Sequence, residues 1–288
     1  MARGAEVVAL VRPTSDTWRI DGVPDVQIVR SAEWEAEIGR LGASAVLSLD
    51  WAGVPAVDRN NDEVQARNVV RQTGIIEAAI AAGVKTFVGV GSQMEYGPVD
   101  DQVAEDRDPT PVTAYGRAKV AARIALLDAM EPAGARWVWA RIFSVFGPLE
   151  TGGWLLPSIA RSVADGVALP LSSGMQRWSY LYAADAGTAL AELALNPAAQ
   201  GTYNVGHPDA PPLRQSVITF ADALEGETTL AFGEKSGPHA QPDMTRLTAL
   251  GWAPANDTAE ALAKTARWLQ GATIADPLVA GFDLPTVR

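Results

Sequence analysis

Short apolar runs of strand length recur along this chain, and helix-length segments separate most of them. Glu6 to Val11, Asp25 to Val29, Ala43 to Leu49, Lys85 to Gly91 and Arg136 to Ile142 are the clearest strands. Ala32 to Leu41 and Asp62 to Ala82 carry helical patterns, and a further helix opens at Tyr115. Strands that alternate with helices form a parallel sheet with helices on both faces. Gly201 to Gly206 returns as a strand after a helix near Asp185, and Met244 to Leu250 and Thr258 to Leu269 read as closing helices. The expected class is α/β, a doubly wound parallel sheet.

Charge and composition narrow the function. With 288 residues the chain can bury an ample core. A net charge of −11 leaves no basic stripe for nucleic acid or an acidic membrane. The absence of Cys removes disulfides and thiolate chemistry and fits a cytoplasmic protein. His207 and His239 are too few for a His-based metal centre, so no metal is expected. The opening residues read as the approach to a strand, not as a signal peptide.

Tyr115 and Lys119 stand four residues apart in one helix, so their side chains share a face. With 5 Tyr and the lysines at 85, 119, 235 and 264, a Tyr-x-x-x-Lys spacing arises by chance about 0.07 times. An ammonium near a phenol favours the phenolate, so the Tyr115 pKa is expected to fall from about 10 towards neutrality. Such a group exchanges a proton with an alcohol or ketone oxygen. Alternatively, the pair is exposed on a surface helix. Ser92 falls just past the Lys85 to Gly91 strand, and ligands of parallel sheets bind outside the carboxyl ends of strands. Its hydroxyl can bond the oxygen whose proton Tyr115 handles; a serine there taken alone is more often a cap or turn residue, and Tyr115 and Lys119 downstream reverse that reading.

The order Ser92, Tyr96-Gly97, Tyr115-x-x-x-Lys119 and Arg141-Ile142-Phe143-Ser144-Val145-Phe146-Gly147-Pro148 resembles the extended short-chain dehydrogenase/reductase family. Within it, the chain is most similar to the NAD(P)-dependent nucleotide-sugar epimerases, dehydratases and ketoreductases. The resemblance implies a Rossmann-like doubly wound parallel sheet with a smaller C-terminal α+β substrate lobe. Residues 1–148 would bind NAD(P), and 149–288 would mainly form the lobe, with part returning to the sheet. Ser92, Tyr115 and Lys119 would be catalytic, the last two also touching the cofactor. Leu49, Asp50 and Trp51 would line the cofactor, although Asp50 replaces a small residue of the family. Asn68 would hold its phosphate side. Ile142 and Phe143 would pack by the nicotinamide, or simply be core. Ser92, Gln93 and Ser144 would face the substrate. Arg177 would clamp the nucleotide diphosphate with its forked guanidinium, or be an exposed Arg without a role. A homodimer through the Tyr115 helix and the Asp62 to Ala82 helix is implied as well.

Four features bear on cofactor and reaction. Family members open with a strand, a Gly-x-x-Gly-x-x-Gly turn and a helix whose backbone cradles the pyrophosphate. Here Ala2-Arg3-Gly4 resembles the tail of that helix, and no such turn lies downstream. The expectation is a coding region that begins upstream of Met1; a natural fragment or a replaced unit are the alternatives. At the tip of the first strand present, Arg12 is followed by no carboxylate before Asp16, which favours NADP(H) over NAD. Arg12 could otherwise cap the sheet edge. Family dehydratases carry Asp-Glu directly after the Ser/Thr position, where this chain has Gln93-Met94, with Glu95 one place late. Epimerases often have Asn where Ser144 stands. The expected activity is NADPH-dependent 4-ketoreduction of an NDP-4-keto-6-deoxyhexose. The alternatives are an NAD-dependent nucleotide-sugar 4-epimerase and a non-catalytic cofactor-binding protein.

Overall fold

The computed structural model describes residues 4–54, 58–150, 153–226 and 230–271. Ala2 and Arg3, of the Ala2-Arg3-Gly4 stretch read above as the tail of a helix, lie outside them. The first half runs β1 (Val7–Val11), β2 (Val26–Arg30), α1 (Trp34–Leu41), β3 (Ala45–Ser48), α2 (Asp62–Ala81), β4 (Thr86–Ser92), α3 (Ala114–Met130) and β5 (Arg136–Ile142). The second half runs β6 (Ser144–Phe146), α4 (Leu155–Asp165), β7 (Leu169–Leu171), β8 (Tyr180–Tyr182), α5 (Ala183–Leu195), β9 (Gly201–Val205), α6 (Leu213–Asp222), β10 (Leu230–Phe232), α7 (Thr245–Ala249) and α8 (Thr258–Leu269).

Local chemistry sets the helix starts. Asn61 caps α2 by accepting from the Val64 amide, with Asp62 and Glu63 complementing the helix dipole. Thr113 caps α3 by accepting from the Gly116 amide at 3.1 Å, which places Tyr115 in the first turn.

Every strand pair among the described residues is parallel, as the alternation requires. The order in the main sheet is β3-β4-β5-β9. The period of two sends Phe87, Trp137 and Trp139 to one face, under Ile76, Ala79, Ala122 and Leu126 of α2 and α3. Val88, Val138 and Ala140 face the other way, onto Ala186, Ala189 and Leu193 of α5. A separate apolar cluster joins α4, α6 and α8 to Phe146 and Tyr182.

The expected single sheet is divided. β1 and β2 form their own two-stranded sheet, and residues 12–25 between them hold turns but no helix. Among the described residues, β1 pairs with β2 alone and β3 with β4 alone. A strand paired on one edge leaves its other flank open. The apolar residues of β1 are accordingly only half-buried, and Leu49, just past β3, is 65% exposed.

Registers align the carboxyl ends of the main sheet. Ser92 pairs with Ile142, and Ile142 with Val205, so the segments that follow β4 and β5 emerge at one edge. No helix among the described residues is long and apolar enough to cross a membrane.

Candidate active site

Ser92 ends β4 and caps a single tight turn, Gln93–Glu95, its Oγ accepting from the Met94 amide at 3.2 Å. That bond uses an oxygen lone pair and leaves the hydroxyl proton to donate elsewhere. Helix α3 comes down directly onto this turn at Gly116, where a Cβ would collide with the Met94 carbonyl. The close approach brings Tyr115 beside Ser92, near enough for the hydroxyl to favour the phenolate form. From the other side, the Tyr115 amide donates to the Arg59 carbonyl at 2.8 Å.

Lys119, one turn along α3, is 4% exposed. Its Nζ donates to the Val90 carbonyl at 2.7 Å and lies 3.5 Å from the centroid of the Trp51 ring. Burial lowers its pKa to about 7, against the opposing charges of Glu95 and Asp50. Tyr115 departs from the sequence expectation. Burial raises its pKa above 10, while the Ser92 hydrogen bond and the Arg59 charge only partly offset this. The ammonium is 5.6 Å from the Tyr115 ring and turned to Val90, so desolvation outweighs it.

The remaining predicted residues divide into two groups. Trp51 lies at the centre, edge-on to Tyr115 at 6.1 Å, with its indole N–H on Gln65. Ile142 is in register with Ser92, and Gln93 is half-buried with an Oε1 that has no partner. Asp50 turns away to an ion pair with Arg71 at 3.0 Å. The Asn68 amide clamps Ala52 in both directions, donating to its carbonyl at 2.8 Å and accepting from its N–H at 3.0 Å. Asn68 thereby holds the Trp51 loop, with its amide already engaged. Phe143 packs into a small cluster with Tyr96, Val99 and Val103. Ser144 is half-buried in β6, opposite Tyr180. Arg12 is exposed at the end of β1. Arg177 is exposed in the lobe and donates to the Ala210 carbonyl at 3.3 Å.

Sequence reasoning passed over Arg59, whose carbonyl accepts from the Tyr115 amide, and Glu150, in the segment before α4. The Arg59 guanidinium lies 5.3 Å from the Trp154 ring centroid and so reaches from the loop after β3 to the segment before α4. Glu150 carries a buried Oε2 with no partner, and burial raises its carboxyl to about 7. Neither carries a periodicity or spacing signal. Glu95 was visible but judged only by its spacing. It is 0% exposed, and its carboxylate accepts from the Ser92 amide, the Trp139 indole and Arg141.

The residues present fit the nicotinamide end of a dinucleotide. An ammonium has three donors, and Lys119 uses one on protein, which leaves two for ribose hydroxyls. Arg12 fits a ribose phosphate, being exposed with no described partner. No Gly-x-x-Gly-x-x-Gly turn that would cradle the pyrophosphate lies among the described residues. No cluster of three or more potential metal ligands occurs among them either.

A family model described as the NAD dependent epimerase/dehydratase family matches residues 1–206. The dTDP-6-deoxy-L-talose 4-dehydrogenase (NAD(P)(+)) of Kitasatospora kifunensis is 27% identical over 280 residues, 91% of this chain and 87% of that protein. Of three other curated relatives, the chain spans 72%, 56% and 64% of the length. The structure of UDP-glucose 4-epimerase from Thermotoga maritima with UDP-glucose superposes with a TM-score of 0.79 at 19% identity, covering 93% of this chain and 92% of that one. The enzyme WbmG of Bordetella bronchiseptica, in complex with NAD, gives a TM-score of 0.76 at 20% identity over 93% and 87%. At such identities the likeness concerns the fold.

Proposed function

The chain belongs to the NAD dependent epimerase/dehydratase family, and we propose that within it the chain is an NADPH-dependent 4-ketoreductase of a nucleotide-activated 4-keto-6-deoxyhexose. When bound, the reduced nicotinamide supplies a hydride to the C4 carbonyl carbon. Tyr115 donates its phenolic proton to the C4 oxygen as charge develops there. The Ser92 hydroxyl, its oxygen already engaged by Met94, donates to the same oxygen. Lys119 orients the ribose with its two remaining donors.

The observation that carries this reading is the meeting of Ser92, at the end of β4, with Tyr115 and Lys119 on the first turns of α3, where Gly116 lets the helix touch the turn after the strand. The buried Tyr115 phenol stays protonated at neutral pH and so has a proton to give. Glu95 supports it from another side: with its carboxylate committed to three donors in the core, it is not placed to serve a dehydration. The 4-dehydrogenase activity in the name of the Kitasatospora relative is this reaction in reverse. Arg12 supports the preference for NADPH, because the first acid after it, Asp16, accepts from the Trp18 amide in a turn. The unpartnered Gln93 Oε1 supports a polar substrate beside Ser92.

The test is NADPH oxidation by the purified chain with dTDP-4-keto-6-deoxyglucose as substrate. The parent should turn over with NADPH in preference to NADH. Tyr115→Phe should lose at least about 100-fold in kcat while binding NADPH as before. Co-purified NAD with C4 inversion of a UDP-hexose would replace this reading by epimerisation. A folded chain that binds neither dinucleotide would overturn both.

A further inference from the structure

Beneath Ser92 lies a buried ion pair that the proposed chemistry does not use. Glu95 and Arg141 have side chains 0% and 2% exposed, and Arg141 Nε donates to Glu95 Oε2 at 2.9 Å. The other carboxylate oxygen, Oε1, accepts from the Ser92 amide and from Trp139 Nε1, each at 2.9 Å. Burying two charges gains little or nothing over a well-packed apolar pair, so stability alone is a weak reason for the arrangement.

The pair is tied into a wider frame. Arg141 Nη1 donates to the Glu105 carbonyl at 3.1 Å, and its guanidinium lies 4.4 Å from the centroid of the Tyr96 ring. The Tyr96 hydroxyl donates to Asn204 Oδ1 at 2.7 Å, and the Asn204 backbone N–H donates to Glu105 Oε1 at 2.9 Å. The turn after β4, the end of β5, the acidic loop before α3 and β9 are thereby fixed to one another. A Cβ on Gly91 would overlap both Glu95 and Trp139, so the strand next to Ser92 has no slack.

We propose that Glu95 is a positioning residue, whose Oε1 holds the Ser92 amide and thereby aims the Ser92 hydroxyl at the reacting oxygen. Two bonds close the turn reciprocally: Glu95 onto the Ser92 amide, and Ser92 Oγ onto the Met94 amide. The second bond depends on the first. If the Ser92 amide is released, the turn opens, and the hydroxyl loses the neighbour that leaves only its proton to offer. The Glu95 charge also bears on the other two members of the site, raising the pKa of Tyr115 and opposing the drop at Lys119. The inference rests on the ketoreductase reading for its kinetic consequence, while the hold on Ser92 is a property of the chain alone.

Two double variants separate holding from charge. In Glu95→Gln/Arg141→Met the amide oxygen still accepts from the Ser92 amide and Trp139, and the ion pair is gone. In Glu95→Leu/Arg141→Met nothing accepts from the Ser92 amide. Turnover of NADPH with dTDP-4-keto-6-deoxyglucose should stay within about fivefold of the parent in the first and fall by about 50-fold or more in the second. KM and NADPH affinity should change little in either. Hydrogen exchange at the Ser92 amide should remain slow in the first and speed up in the second. A folded Gln variant that loses the rate overturns the proposal, even if the Leu variant fails to fold. Equal kcat in both folded variants overturns it too. Should the parent reduce no ketosugar, the ketoreductase reading falls, and the exchange at Ser92 still decides whether Glu95 holds it.

Discussion

Lys119 keeps an ammonium group almost out of water, between the Val90 carbonyl and the Trp51 face. Its pKa is lowered from 10.5 to about 7, so the folded state disfavours the charged form. The resulting cost to stability is absent above the unfolded value, grows as pH falls from 10.5 to about 7, and is complete below that. Lys119→Met should therefore raise Tm at about pH 6 and change it little at about pH 10. After the lost Val90 bond is set against the relieved desolvation, the gain is about 1–3 kcal/mol. Turnover should fall by at least about 100-fold in the same variant. Thermal melts across pH check the first half, and a neutral or lower Tm at about pH 6 would contradict it. Glu150 has the opposite charge and an equally clear sign. Its folded pKa is raised to about 7 by burial, so stability is unaffected below 4.5 and is lost progressively as pH rises through 7. Glu150→Gln should melt higher than the parent at about pH 8 and equally at about pH 4.

Elements supply the precision that single residues lack. Ser92, Tyr115 and Lys119 come from the end of β4 and the start of α3, and neither element alone makes a site. They meet because Gly116 lets the helix touch the turn after β4 and because Thr113 fixes where the helix begins. The loop after β3 forms the other side and is tied to α2: Asn68 holds it through two bonds to Ala52, beside Gln65 on Trp51 and Gly53 and Gln72 on the Asp50 carbonyl. Asn68→Ala should cost about 1–3 kcal/mol through the two orphaned backbone groups. It should also loosen Trp51, seen as higher fluorescence quenching by acrylamide, while the melting transition stays cooperative. Unchanged stability would mean that water replaces the clamp.

The described residues form a main sheet with helices on both faces, three two-stranded sheets, and a lobe built on α4, α6 and α8. Adjacent helices α2 and α3 present Val70, 73% exposed, and Ile124, 47% exposed. We propose these helices as the contact of a homodimer, since apolar side chains on neighbouring outer helices gain by being covered. Sedimentation equilibrium should give a dimer for the parent and a monomer for Val70→Glu/Ile124→Glu, with the melt little changed. A monomeric parent at micromolar concentration would sink the idea.

Much of this was legible in the residues because it is local. The alternation of β-branched runs with 3.6-period segments sets strand and helix within a residue or two at most boundaries; Thr258 to Leu269 and Arg136 to Ile142 need no correction. The four-residue spacing puts Tyr115 and Lys119 on one helical face whatever surrounds them. What the sequence could not convey depends on partners far along the chain. The Tyr115 pKa rises because Trp51 and its neighbours exclude water, and no spacing encodes that exclusion. Glu95 meets Arg141 across 46 residues, and Asn68 meets Ala52 across 16, so their roles follow only from how strands and helices stack. Periodicity placed the strands but not their edges, and the division of the sheet at β1 and β3 emerged only in three dimensions. The sequence alone determined which polar groups this protein carries and which of them share a helix face; the packing, through contacts between residues far apart in the chain, decided which of them meet and how deeply each is buried.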